Sequence, residues 1–193
     1  MTTQTPQQAI DILLNGGVGV LPTDTVYGIV ARAADPDAVK RTYGLKKREH
    51  KPGTVIAASV DQLVELGLPK RYLSAVEHLW PNALSVEMPL GERLTYLHQD
   101  TGRQAYRVVA EPAIREILEK TGPLLTSSAN QPGEPTANTI AEAQQYFGDQ
   151  VDFYVDGGDL SGRPSSTLIR VVDDAIEIIR QGAVKIDETG RIS

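Results

Sequence analysis

The chain has 193 residues, of which 40% are hydrophobic and 23% charged, enough to bury one full core. Its formal net charge of -6 argues against a general nucleic-acid coat or an anionic-membrane binder, because either needs positive charge over a wide face. The absence of cysteine excludes a disulfide framework, a thiolate nucleophile and a cysteine zinc site, and His50, His78 and His98 are too scattered for a paired metal-ligand motif.

The N-terminus "MTTQTPQQAI" has neither the basic start nor the apolar stretch of a signal peptide, and no apolar run approaches the roughly 18 residues of a membrane span. A cytoplasmic protein is expected. Thr5, Pro6 and Gln8 supply an N-cap, a first-turn proline and a capping-box partner for a helix bearing "AIDILL", which Asn15-Gly16-Gly17 ends. "VGVLP" follows as a short strand that Pro22 stops, leaving Thr23, Asp24 and Thr25 at its carboxyl end. Asp35-Pro36 opens a second helix through about Lys47.

Further strands are predicted at "TVIAAS", "ALSVEMP", "AYRVV", "PLLTS", "VDFYV", "STLIRVV" and "AIEIIRQ", with helices near 61–66, 70–79, 112–121 and 139–147. Thr139 and Glu142 read as another capping box. The alternation predicts an α/β fold around one sheet, and the late hairpin makes that sheet mixed. One domain over residues 1–193 is expected, with no linker or repeat.

The chemistry gathers in loops and in one basic cluster. Lys46, Lys47, Arg48 and Lys51 lie within six positions of an acidic chain, just after Lys40 and Arg41. Favourable interaction with a helix C-terminus accounts for part of that cluster; a phosphate-rich ligand accounts for more. The loops "PTDTVYG", "TSSANQPGEPT" and "DGGDLSGRPSST" offer hydroxyls, amides and glycine-opened N–H groups, and loops at strand ends converge on ligand crevices in such sheets. Each is also ordinary turn chemistry when taken alone. Arg107, inside the apolar-leaning "AYRVV", either faces water or needs a buried partner. There is no G-x-x-x-x-G-K-[ST] loop, no G-x-G-x-x-G turn after the first strand and no G-x-S-x-G elbow, so catalysis by positioning and charge is what the residues leave.

"VLPTDTVYG", "LKKREHKP", "AYRVV", "PLLTSSANQPGEPT", "VDGG" and "SSTLIRV" followed by "IIRQG" occur in the order and near the spacing of the YrdC family of threonylcarbamoyl-AMP synthases, which the chain resembles from about residue 8 to 183. The resemblance implies a twisted mixed sheet with flanking helices and a deep, positively lined cavity, in the form without an extra C-terminal domain. It also implies a nucleotidyltransferase that joins L-threonine, bicarbonate or CO2, and ATP with Mg2+ into threonylcarbamoyl-AMP and pyrophosphate. The product then serves a threonylcarbamoyl transferase complex acting on the tRNA adenosine beside the anticodon, with tRNA contact a further expectation.

By the same resemblance Lys46, Arg48, Lys51, Arg103, Ser128, Asn130, Thr136 and Arg180 belong to ATP, and Thr25, Arg107, Thr126 and Ser166 to threonine. The metal ligands stay open between Asp24 and the substrate phosphates. The chain departs from the family pattern at Glu49, where many members carry proline, at Ile56, where some carry histidine, at Val109, which replaces a common proline, and at Ser165, where glutamate often stands. Two other readings remain: a paralogous nucleotide-binding protein of the same fold, and a non-catalytic RNA-binding module in which Tyr27, Tyr43 and Tyr106 would stack on bases.

Overall fold

The computed structural model describes residues 2–47, 50–89, 92–172, 175–187 and 189–192. Arg48 and Glu49 lie outside the described residues. The first helix, α1 (Pro6–Leu14), starts as its sequence requires: the Thr5 hydroxyl accepts from the Gln8 N–H, and the Gln8 side chain accepts from the Thr5 N–H at 2.9 Å. Strand β1 (Gly19–Pro22) then pairs antiparallel with β2 (Tyr27–Arg32). No strand is anticipated over 27–32 from the sequence, and Pro22 does not stop the pairing. It sits opposite Tyr27 as the last pair of the hairpin, with Thr23 to Val26 as its tip.

The other strands are β3 (Thr54–Ala57), β4 (Leu84–Pro89), β5 (Arg103–Val108), β6 (Leu124–Ser128), β7 (Phe153–Tyr154), β8 (Thr167–Val172) and β9 (Ala175–Arg180). They form one sheet in the order β7-β1-β2-β6-β3-β5-β4-β8-β9. Its pairs β1/β7, β3/β5 and β4/β8 are parallel and the rest antiparallel, so the sheet is mixed throughout and not only at the late hairpin.

Helix α2 (Pro36–Leu45) is capped by Asp35, whose carboxylate accepts from the N–H groups of Asp37 and Ala38. Helices α3 (Val60–Leu66), α5 (Pro112–Thr121) and α6 (Ile140–Phe147) fall where expected, whereas the span 70–79 divides into a one-turn α4 (Lys70–Leu73) and a 3-10 turn at Glu77–Leu79. Leu73, Val76 and Leu79 are buried at steps of three, the repeat of a 3-10 helix. The second capping box is only half formed. Thr139 caps the Glu142 N–H, but the Glu142 carboxylate accepts from Asn138 at 2.7 Å instead of from Thr139.

Strand alternation sorts side chains onto two faces. Val55, Tyr106, Val86, Ile169 and Ile178 are successive register partners across five strands; the first four are buried and Ile178 packs against them, together with Leu63, Leu73 and Trp80. On the opposite face Ile56 and Leu124 are covered by Ile10 and Leu13 of α1 and by Ile114 and Leu118 of α5. Two positions along the same strands, Thr54 and Thr126 belong to a cavity instead. The helices thus roof one half of that face, and the other half is where the site lies.

Candidate active site

A cavity of about 330 Å3 opens on the half-covered face. Thr126 and Ser128 of β6, Thr54 of β3, Ala105 and Arg107 of β5 and Glu87 of β4 line it, at alternate positions of their strands. The hairpin tip adds Thr23, Thr25 and Val26. Thr23 fixes that tip: its hydroxyl donates to the Val26 carbonyl at 2.7 Å and accepts from the Thr25 N–H at 3.2 Å. Gly28 is required beside it, since a Cβ there would stand 2.3 Å from the Thr126 hydroxyl.

Arg107 faces inward with 3% of its surface exposed. Its Nη2 donates to Asp24 Oδ1 at 2.7 Å and its Nη1 to the Ser85 hydroxyl at 2.9 Å. The buried guanidinium thus has a buried counter-charge, the Asp24 side chain being 5% exposed. Arg107 Nε and Asp24 Oδ2 are buried without a hydrogen-bond partner among the described residues.

Arg180 reaches the same wall through an irregularity in β9. Ile169 pairs with Ile178 but Leu168 with Arg180, so one extra residue, Ile179, is inserted on β9. Without this bulge Arg180 would share the core face with Ile178; with it, Arg180 joins Leu168 in the cavity lining. Thr167 secures the turn that follows, accepting from the N–H groups of Gly182 and Val184 at 2.9 and 3.1 Å. Gly182 packs so closely that a Cβ would stand 2.2 Å from the Ser165 carbonyl. The Arg180 Nε and Nη2 donate to the Ser166 carbonyl at 3.1 and 2.8 Å. Burial, and then the neighbouring Arg107 charge, pull the Arg180 pKa below its ordinary range.

A second cavity, about 410 Å3, is lined by Lys46, Lys47, Lys51, Ser128, Asn130, Pro132 and Gly133 and shares Ser128 with the first. Lys46 is buried, and its ammonium donates to the Ser128 carbonyl at 2.7 Å, to Asn130 Oδ1 at 2.8 Å and to the Asn130 carbonyl. Its charge therefore ties the end of α2 to the loop after β6. Lys51 is exposed, and its backbone N–H is fixed by Gln99 Oε1 at 3.1 Å.

The sequence-predicted residues are thus divided. Thr25, Arg107, Thr126, Ser128, Thr136, Ser166 and Arg180 line the first cavity, and Lys46, Lys51, Ser128 and Asn130 the second. Arg103 lines neither: it stands at the start of β5, opposite Pro89, two residues before Ala105. Arg41 is diverted to Asp152, with Nη2 to Oδ1 at 3.0 Å. Of the loop "DGGDLSGRPSST" only the end arrives, as Ser165 and Ser166; its Gly157 N–H and Gly158 carbonyl bind the Tyr27 hydroxyl instead, at 2.8 and 2.9 Å. Tyr27, Tyr43 and Tyr106 are all buried, which removes the stacking platform of an RNA module. Trp80 is a core anchor, donating to the Leu84 carbonyl at 2.7 Å.

Glu87 and Ser85 are among the residues of the site absent from the sequence-based assignment. Glu87 puts a carboxylate into the first cavity, ion-paired with Arg170. Ser85 lies fully buried behind the wall, between Arg107 and Ser166. Alternation from Arg107 across β4 carries the signal for both, since Glu87 pairs with Ala105.

The architecture is a mixed sheet with one half-roofed face, a hydroxyl-and-arginine cavity and a lysine cavity joined to it, a donor-rich arrangement whose chemistry suits oxyanions. The Sua5/YciO/YrdC family model, described as telomere recombination, matches residues 11–182, and the chain belongs to this family. The threonylcarbamoyl-AMP synthase of Pseudomonas aeruginosa (strain UCBPP-PA14) is 37% identical over 171 residues, covering 85% of this chain and 90% of that one. Sua5 of P. abyssi, crystallised in complex with L-threonine, superposes with a TM-score of 0.82 at 26% identity. That match covers 94% of this chain and 55% of Sua5, so the chain spans little more than half of that protein's length. E. coli YciO shares the fold, with a TM-score of 0.78 at 23% identity over 92% of this chain and 88% of its own.

Proposed function

We propose that the chain is an L-threonylcarbamoyladenylate synthase, a nucleotidyltransferase acting as a single YrdC-like domain over residues 1–193. The observation that carries this reading is the junction of two chemically different cavities at Ser128. The lysine-lined one suits a triphosphate, and the one bearing Arg107, Arg180 and hydroxyls suits an amino acid whose carboxylate needs donors. The P. aeruginosa relative's name and the threonine in the Sua5 crystal support it.

In this reading the unprotonated amine of threonine adds to the carbon of CO2 and loses one N–H proton to solvent, giving a carbamate. A carbamate oxygen then attacks the α-phosphorus of ATP in line, and the bond to the pyrophosphate oxygen breaks. No protein nucleophile is needed. The chain contributes alignment and cations toward the leaving pyrophosphate, with Lys51 at the phosphates and the Lys46 charge behind Ser128 and Asn130. Arg107, Ser166, Thr25 and Thr126 would hold threonine, and Arg180, which the family resemblance assigns to ATP, lines the same cavity and would face the threonine carboxylate instead.

The Mg2+ that accompanies ATP would arrive chelated by phosphate oxygens. Among the described residues no group of three or more His, Cys, Asp or Glu side chains is placed to hold a metal ion; Asp24 gives Oδ1 to Arg107 and keeps Oδ2 without a partner among the described residues, so it is the carboxylate that, in this reading, could add to the phosphate ligands. No described helix is long and apolar enough to cross a membrane. We place the enzyme in the cytoplasm, where its product would pass to a threonylcarbamoyl transferase complex modifying tRNA. Pyrophosphate release by the purified chain tests the proposal: it should require L-threonine and bicarbonate together, and release that continues undiminished without threonine would refute it.

A further inference from the structure

Ser85 links two groups that the proposed function gives to threonine, and the direction of its hydrogen bonds is dictated by chemistry. A guanidinium only donates. The Ser85 hydroxyl therefore accepts from Arg107 Nη1, at 2.9 Å. Ser85 is fully buried, and its single proton goes to the Ser166 hydroxyl oxygen at 3.0 Å. Ser166 also receives Arg180 Nη2, at 3.3 Å, so both of its lone pairs are engaged by donors. Its own proton then has no acceptor among the described residues and is left for whatever occupies the cavity that Ser166 lines.

We infer that Ser85 is a positioning residue that makes the Arg107–Ser166–Arg180 wall of the cavity donor-only, committing it to the carboxylate of the amino-acid substrate and turning the substrate amine away. The inference rests on the proposed function for the identity of that substrate. An ammonium against this wall would meet two guanidinium charges and a hydroxyl with no lone pair to offer. A carboxylate meets donors only. The orientation also serves the chemistry, because an amine directed away from the cations keeps its lone pair for carbon dioxide. Ser85 achieves this without touching the substrate: it lies behind the wall and passes the polarity of Arg107 on to Ser166.

The alternative is an ordinary buried serine satisfied by its neighbours, and binding measurements separate the two. Calorimetry on the full chain would compare L-threonine, L-threoninol, in which a CH2OH group replaces the carboxylate, and ATP, with Ser85→Ala, Ser85→Thr, Ser166→Ala and the Ser85→Ala/Ser166→Ala double variant. Ser85→Ala should weaken threonine about tenfold, the equivalent of one hydrogen bond to a charged group. ATP affinity should stay within about twofold, as should the already weak binding of threoninol. Ser85→Thr, which keeps the hydroxyl, should retain most of the threonine affinity and serves if the alanine variant does not fold.

On the Ser166→Ala background the Ser85→Ala change should cost clearly less than it does alone, because the relay has already lost its end. Equal losses on both backgrounds, equal losses for threonine and threoninol, or an unchanged threonine affinity in Ser85→Ala would each overturn the inference. A wild-type chain that binds threonine yet releases no pyrophosphate would refute the proposed function and leave this test standing; one that binds no threonine would overturn both.

Discussion

The Asp24–Arg107 pair sets a stability against an affinity, and Asp24→Asn separates them. Both side chains are almost wholly buried, at 5% and 3% exposure, with Nη2 and Oδ1 2.7 Å apart. Asparagine is isosteric and keeps an acceptor at the Oδ1 position, so the hydrogen bond persists while the counter-charge is lost. The amide nitrogen falls where Oδ2 stands, an atom with no hydrogen-bond partner to lose. Breaking a buried ion pair from one side costs about 3 to 5 kcal/mol, and the retained acceptor points to the lower end, about 3 kcal/mol. For a chain of this length each kcal/mol moves the melting temperature by about 2 to 4 °C, so Asp24→Asn should melt about 6 to 12 °C lower. L-Threonine should restore part of that loss, because its carboxylate supplies the charge that Arg107 then lacks. Thermal melts of both proteins with and without saturating threonine make the comparison. A melting temperature within about 2 °C of wild type, or a threonine-induced shift no larger in the variant than in wild type, would refute the reasoning.

Lys51→Ala removes an exposed cation from the lysine-lined cavity. It should weaken ATP binding by roughly ten- to a hundredfold, one charge-assisted contact, with little change in melting temperature; isothermal titration and a thermal melt check the two halves. Tyr27→Phe should destabilise the chain near neutral pH by about 1 kcal/mol, since the hydroxyl serves both Gly157 and Gly158. Burial, offset in part by the Gly157 N–H, raises the Tyr27 pKa above its ordinary value of 10.0. The contribution of the neutral hydroxyl is therefore whole below that value and is lost as pH rises through the folded-state pKa. Urea midpoints should accordingly show the gap between Tyr27→Phe and wild type narrowing above about pH 10.

Local signals gave most of the elements, because caps and periodicity act over a few residues. Thr5 with Gln8, Asp35 with Pro36, and the apolar runs at 54–57, 84–89 and 124–128 needed no tertiary information. Strand β2 escaped for a physical reason. "YGIVAR" is buried on both faces over its first five residues, so it has no alternation to detect, and Gly28 in its second position weakens strand propensity. That glycine reflects a contact 98 positions away, with Thr126. The bulge in β9 was equally hidden, although "IEIIRQ" breaks period two where Ile178 and Ile179 adjoin. A broken period shows that the strand is irregular without saying which side chain is re-aimed.

The site was legible as a set of residue types and not as a circuit. Motif order brought Arg107 and Ser166 together and set Arg180 with ATP, and nothing in "ALSVEMP" marks Ser85 as the connection between Arg107 and Ser166. Connection is a property of register: Val86 faces Tyr106, which sets Ser85 alongside Arg107 on the next step of the ladder. Register also explains why two guanidinium groups are tolerated on one wall of an acidic chain. Arg107 is ion-paired with Asp24, while Arg180 has, among the described residues, only neutral oxygens of Ser166 as partners, and burial together with the nearby Arg107 charge disfavours its charged form. Arginine stays protonated despite such a shift, so Arg180 keeps its charge in the cavity lining. An entering carboxylate would offset that repulsion as well as gain its own contacts, whereas a neutral isostere would gain only the contacts. On this reasoning a preference for an anion would follow from how incompletely the protein satisfies Arg180, and Arg180→Gln should narrow the gap between threonine and threoninol affinity in the same calorimetry.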